Sequence, residues 1–299
     1  MPVLLEFRRI RVRSLDCDFN EVTWELEDTS EDVLDYTIQV QRSESGSGPW
    51  SNLDVPFSDS YRFIDNTIHT GHRWRKYFYQ LLVKHVPSGD CQTFGPVSKD
   101  PDPDLIALEL RRHNVLLFRE FAGRRCWVLP VRTFGQRCSC WNPNTRQANR
   151  SGCKTCWGTT YVRGYMHPVE SWMQIDPSPK SEQNTNVGAQ QQSNTTMRMP
   201  WYPPLKPRDL VIEGENRRWR VTTVTQTEKG RAGIHQEVGL HEIPPRDLEF
   251  SIPLELGIPL RDLWLSPSRN YTNPTTLENF MEEKLPRVFE LFPTTKRNS

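Results

Sequence analysis

The 299-residue chain lacks every motif from which catalysis is ordinarily argued: it has no Gly-x-Ser-x-Gly, no phosphate-binding loop and no dinucleotide fingerprint. Its histidines do not fill the gap. His113, His167, His235 and His241 stand at no metal-ligand spacing and have no matching acid, so each reads as a surface or satisfied core residue. No apolar run is long enough to cross a bilayer, mean hydropathy is -0.69, and the first residues do not resemble a secretory leader. The expectation is a protein that contacts no membrane. Charge of one sign is missing too, with 38 Lys and Arg against 37 Asp and Glu, so any nucleic-acid contact must be local. Apolar residues make up only 35% while prolines number 24, which predicts small β-domains joined by extended segments. Neither an enzyme nor a small-molecule substrate is expected.

Cysteine is also scarce, at seven, yet four fall in one window as Cys138-x-Cys140 and Cys153-x2-Cys156. Two thiolates close in sequence reach one ion from a single knuckle. A loop of about a dozen residues brings a second knuckle from the opposite side to complete a tetrahedron. The loop WNPNTRQANRSG is polar and rich in turn formers, and Gly158 suits a tight turn that aims amides at sulfur. The array reads as a structural zinc site, since four thiolates leave no position for a reactive water. A disulfide pair or unrelated buried cysteines are the alternatives, and the short first knuckle leaves Cys126 open as a substitute ligand. Cys17, Cys91 and Cys126 are scattered, and an odd total is a poor disulfide framework, so a reducing compartment is expected.

Residues 1–99 carry short alternating runs, among them VLLEFRRIRV, EVTWELE, DYTIQVQRS, YRFIDNTI, KYFYQLLVKHV and TFGPVS, separated by turn material. That spacing predicts an all-β sandwich in which Tyr36, Ile38 and Val40 share the packed face and Thr37, Gln39 and Gln41 the wet one. With Trp24 in the second run and Tyr77 or Tyr79 in the penultimate one, this part resembles a fibronectin type III domain. The resemblance implies a binding or decorating module.

DPDPD then breaks the chain, and its polarity predicts few contacts across the junction. A linker helix follows within 100–124, its apolar stripe made by Leu105, Leu108, Val115, Leu116 and Phe118, with Arg111, Arg112 and Arg119 on the solvent side. Residues 125–250 hold the zinc module, flanked by the strand-like runs CWVLPVRTF and TTYVRGYMHPVESWMQI, and then DLVIE, RWRVTTVTQT and HQEVGLHEI. Between them, 177–196 is a polar Gln/Asn/Ser loop too poor in apolar residues to order itself, and it reads as either a mobile loop or a segment ordered only by a neighbouring subunit. The last segment, 251–299, has apolar residues interrupted by prolines and reads as an extended arm that docks on a neighbour.

Aspartate-initiated DLVIE, the NRRWRV strand and the long following hairpin resemble the small β-barrel of tailed-bacteriophage head-closure and head-to-tail connector proteins. The order of elements over roughly residues 120–250, zinc knuckle, YMHPVESWMQID, polar loop and barrel, is similar to virion neck proteins. The resemblance implies a non-enzymatic structural protein of a virion neck, made in the host cytoplasm and built into a ring of its own copies. Its partners would be portal or adaptor proteins and tail proteins, and a ring of this kind leaves room for contact with genomic DNA along its channel. Two other classes stay open: a zinc-ribbon nucleic-acid-binding protein using Arg137, Arg146, Arg150 and Lys154, and an assembly factor or chaperone. The fold expected is mainly β: sandwich, zinc-clipped module, barrel and arm.

Overall fold

The computed structural model describes residues 5–253, apart from 17–18, 69–74, 102–103, 151, 176–180, 186–187, 193, 214–215 and 231. All of the arm expected over 251–299 except its first three residues therefore lies outside the described residues, as does Cys17. The fold is mainly β, as expected, with two sheets facing each other in the first hundred residues and a closed barrel in the second half.

Strands β1 (Phe7–Asp16), β2 (Phe19–Leu26), β3 (Tyr36–Ser43), β4 (Ser51–Asn52), β5 (Arg62–Asp65), β6 (Phe78–His85) and β7 (Cys91–Ser98) build the sandwich. One sheet runs β1-β2-β5 and the other β4-β3-β6-β7. The period-2 pattern places side chains as read: Tyr36, Ile38 and Val40 are buried, while Thr37, Gln39 and Gln41 are partly exposed. Trp24 lies in the core between the sheets beside Ile38, Phe63 and Leu81. Tyr79 is deeper than Tyr77, and its hydroxyl donates to Asp65 Oδ2 at 2.7 Å and accepts from Asn20 Nδ2 at 2.8 Å. A buried phenol needs such partners.

The helix α1 (Leu105–Leu117) runs on through a wider turn at Phe118–Ala122. Its packed face consists of Ala107, Leu108, Arg111, Val115 and then Phe118. Two expectations fail here. Leu105 is exposed, and Arg111 is buried, not solvated. The Arg111 guanidinium donates to the carbonyls of Gly233 (2.6 Å) and Leu15 (3.1 Å) and lies 3.9 Å from the centre of the Trp201 ring. A long stem packed on apolar surface with its charge satisfied by carbonyl oxygens is compatible with burial, and helical periodicity cannot foresee those carbonyls.

The barrel uses β8 (Arg124–Leu129), then, beyond the short ribbon β9 (Trp141–Asn142) and β10 (Gln147–Ala148), β11 (Val169–Ile175). The hairpin β12 (Ser181–Thr185) and β13 (Gly188–Gln192) leads into β14 (Asn194–Pro200), β15 (Leu210–Glu213), β16 (Arg218–Lys229) and β17 (Ala232–Glu242). The closed order is β11-β14-β17-β16-β15-β8, so no strand edge is left open. Val128, Met173, Met197, Val211, Trp219 and Val238 fill it. The polar segment 177–196 departs from the unordered loop read from composition: β12 and β13 pair from Ser181↔Gln192 to Thr185↔Gly188. Strand pairing satisfies the backbone of a segment poor in apolar residues, and the hairpin lies between the paired strands β11 and β14.

The junction between sandwich and barrel is densely contacted, contrary to the polarity of DPDPD. Leu15 and Ile64 of the sandwich share a buried cluster with Val115, Phe118, Val169, Trp172, Trp201 and Tyr202. Arg132 grips Asp59 with two hydrogen bonds of 2.8 Å, Arg163 adds a third at 2.7 Å, and Tyr61 meets Phe134 edge to face at 5.0 Å. The contacts come from residues far from DPDPD in sequence, so the linker's composition says nothing about them.

Candidate metal centre

Strands β8 and β11 are antiparallel neighbours, paired from Met173↔Arg124 to Val169↔Val128, and the segment 130–168 is one long excursion between them. It has little core of its own. Tight turns and hydrogen bonds shape it instead: Cys138 N–H donates to Thr160 O, Trp157 N–H to Cys153 O and Arg163 N–H to Thr155 O, each at 2.9 Å. Gly158 and Gly164 both adopt positive φ. At Gly164 a side chain is excluded on two counts, because a Cβ would also lie 2.6 Å from the Cys156 carbonyl oxygen.

These turns bring Cys138, Cys140, Cys153 and Cys156 together, with all four sulfurs within 4.8 Å of one another. Cys138 Sγ lies 3.8 Å from Cys153 Sγ, and Cys140 Sγ lies 3.4 Å from Cys156 Sγ. A disulfide needs about 2.05 Å. Sulfurs bound at about 2.3 Å around one tetrahedral ion stand roughly 3.8 Å apart, so the spacing fits metal coordination. Cys138, Cys140 and Cys156 are buried and Cys153 partly so, with Ala148 and Val162 packed alongside.

The electrostatics point the same way. Backbone amides of Cys156 and Thr155 donate to Cys153 Sγ and bring its thiol down to about 6, so that it is a thiolate at neutral pH. Burial raises Cys140, and it raises Cys156 although Gly158 and Thr160 aim amides at that sulfur. Sulfurs enclosed in this way hold their protons unless a cation sits among them. A metal ion at the centre would supply that charge, and the donor set fits such an ion with no ligand position left over.

Cys126 is not part of this site. It sits on β8 inside the barrel, packed with residues such as Met173 and Val211, and burial pushes its thiol far up. The histidines lie elsewhere: His113 Nδ1 meets Glu109 O, His235 Nε2 meets Thr227 Oγ1 and His241 Nδ1 meets Asn194 Oδ1. Among the described residues the four cysteines form the one group of metal-ligating side chains.

What fastens the centre to the sandwich has no local signature. Arg137, next to the first ligand, donates to Asp28 Oδ2 through Nε (3.1 Å) and Nη2 (2.6 Å). Its guanidinium lies 4.2 Å from the Trp141 ring centre and 4.1 Å from that of Tyr161, whose hydroxyl donates to Asp28 Oδ1 at 3.1 Å. Backbone bonds from Thr29 N–H to Gly135 O and from Arg137 N–H to Thr29 O complete the joint. Arg137 is thus engaged within the molecule, whereas Arg146, Arg150 and Lys154 are exposed. Partners more than a hundred residues apart carry no local signal.

No protein-family model matches the chain, and no curated protein matches it.

Proposed function

We propose that the protein is a non-enzymatic structural component of a tailed-phage virion neck, in which copies of the chain form a ring that joins the head and portal to the tail. The observation that supports this most directly is the closed six-stranded antiparallel barrel with the β12–β13 hairpin extending from it, preceded by a rigid cysteine-clipped excursion. A closed barrel has no edge through which to aggregate, so the projecting elements are left to make specific contacts between subunits. The three-plus-four strand arrangement of the first hundred residues supports the fibronectin type III reading of that part.

The metal is zinc in this reading, because an all-thiolate tetrahedral set suits it and four bound thiolates make the site structural. A cleft of about 370 Å³ lies between sandwich and barrel, but its principal cations are committed. Arg13 and Arg62 pair with Glu21, and Arg132 pairs with Asp59. It supports a structural joint in preference to a substrate pocket.

Electron microscopy of the purified full chain tests the assignment. Rings of defined symmetry are expected, and they should be found at the neck of the particle. A protein that stays monomeric at high concentration and binds DNA with a steep salt dependence would replace this reading with a nucleic-acid-binding one, carried by exposed Arg146, Arg150 and Lys154.

A further inference from the structure

Helix α1 has two apolar faces, and only one of them is covered. Ala107, Leu108, Arg111 and Val115 are buried against the body of the protein. On the opposite side Ile106, Leu110 and Leu117 are 58%, 36% and 49% exposed, and Phe121 just beyond them is 85% exposed. Separations of four and seven residues keep the first three within about 40° of one another around the helix axis. Four large apolar side chains in one line, open to solvent, mark a binding surface.

We propose that this outer face of α1 is the receptor for residues 254–265 of a neighbouring copy; the inference rests on the ring assembly proposed above. Within those twelve positions stand Leu254, Leu256, Ile258, Leu260, Leu263, Trp264 and Leu265. The first four alternate with other residues, so an extended segment presents them on one side. Four such residues span roughly 20 Å, and the line from Ile106 to Phe121 spans about 22 Å at 1.5 Å per residue.

The point at which the described chain ends favours a second copy over the same one. Ile252 packs with Leu129, Val131, Tyr165 and Leu210. Leu129 closes β8, whereas the helix joins the barrel at the other end of that strand, at Arg124. Donor segment and receptor face therefore sit at opposite ends of a strand about 17 Å long. Such an arrangement gives a heterologous contact, in which each copy hands its tail to the next, and a contact of that kind closes into a ring when the rotation between copies is a whole fraction of a turn.

The test uses full-length protein with the photo-crosslinking residue p-benzoylphenylalanine in place of Phe121 and, in a second variant, of Leu117. Each variant is mixed with ¹⁵N-labelled wild-type chains before assembly. Irradiation should join position 121 or 117 to peptides within 254–265 of the labelled chain, and replacing Leu256 and Leu260 by Asp in the labelled chain should reduce that product at least fivefold. Crosslinks to 254–265 within one isotopic chain only would mean that the tail folds back on its own helix, and the proposal would fall. Rings seen by electron microscopy with crosslinks only outside 254–265 would also overturn it while leaving the ring reading standing. Absence of both rings and inter-chain products would remove both.

Discussion

Single residues decide how tightly the sandwich is held. Asp59 is buried, and although burial alone would raise its pKa, Arg132 and Arg163 hold it below its ordinary value. Removing Arg132 leaves the buried carboxylate with the Tyr61 hydroxyl and the exposed Arg163, so Arg132→Leu should destabilise the protein by about 3 kcal/mol, read as a lowered urea midpoint. An unchanged midpoint would show that the pair contributes nothing to the joint. Asp209 behaves in the opposite sense. It accepts from the Val131 and Lys206 amides, but burial dominates and pushes its carboxyl up to about 6 from 3.8. A carboxyl that holds its proton more tightly folded than unfolded weakens the fold as pH rises between those two values, at about 1.4 kcal/mol per unit. Stability of wild type relative to Asp209→Asn should therefore fall by about 2 kcal/mol from pH 4 to pH 6. Parallel urea titrations check this, and equal slopes in the two proteins would contradict it.

At the scale of elements, the excursion 130–168 is expected to depend on a metal ion held by its four cysteines. The knuckles have little core beyond the four sulfurs with Ala148 and Val162, so the binding energy of an ion would supply much of their order. One zinc per chain is expected by elemental analysis. Cys153→Ser should lose it and make the excursion protease-sensitive, while the barrel keeps its strands; metal-free wild type with an ordered, protease-resistant excursion would refute the assignment. The passage from α1 into β8 has a different constraint. Gly123 N–H donates to Phe118 O at 2.7 Å, and a Cβ at Gly123 would lie 2.3 Å from that same oxygen. Gly123→Ala must open this turn and shift the helix, with an expected cost of 1–3 kcal/mol, roughly that of overpacking a core, measured by thermal or urea unfolding.

At the scale of the whole molecule, sandwich and barrel act as one body. Expression of residues 102–299 alone would uncover Val115, Phe118, Trp172 and Trp201 and leave Arg137 without Asp28. The truncated chain should be less stable than the full protein and prone to aggregate, as light scattering and urea unfolding would show. A truncated chain as stable as the whole would mean that the shared cluster contributes little.

The sequence by itself determined the parts whose information is local. Alternation fixed the strands and the faces of residues such as Tyr36 and Val40, because side-chain direction in a strand has period two. Cysteine spacing picked out the four sulfurs that meet, because two knuckles a dozen residues apart can surround an ion. Tertiary structure alone decided what depends on distant partners: that Arg111 is buried under two carbonyls, that Cys126 belongs to the barrel core, that 181–192 pairs as a hairpin, and that Asp59 and Asp28 lock the sandwich onto the metal centre. Burial of a charge is settled by the groups that meet it in space, and these came from segments seventy or more residues away, or from backbone atoms that no side-chain pattern records.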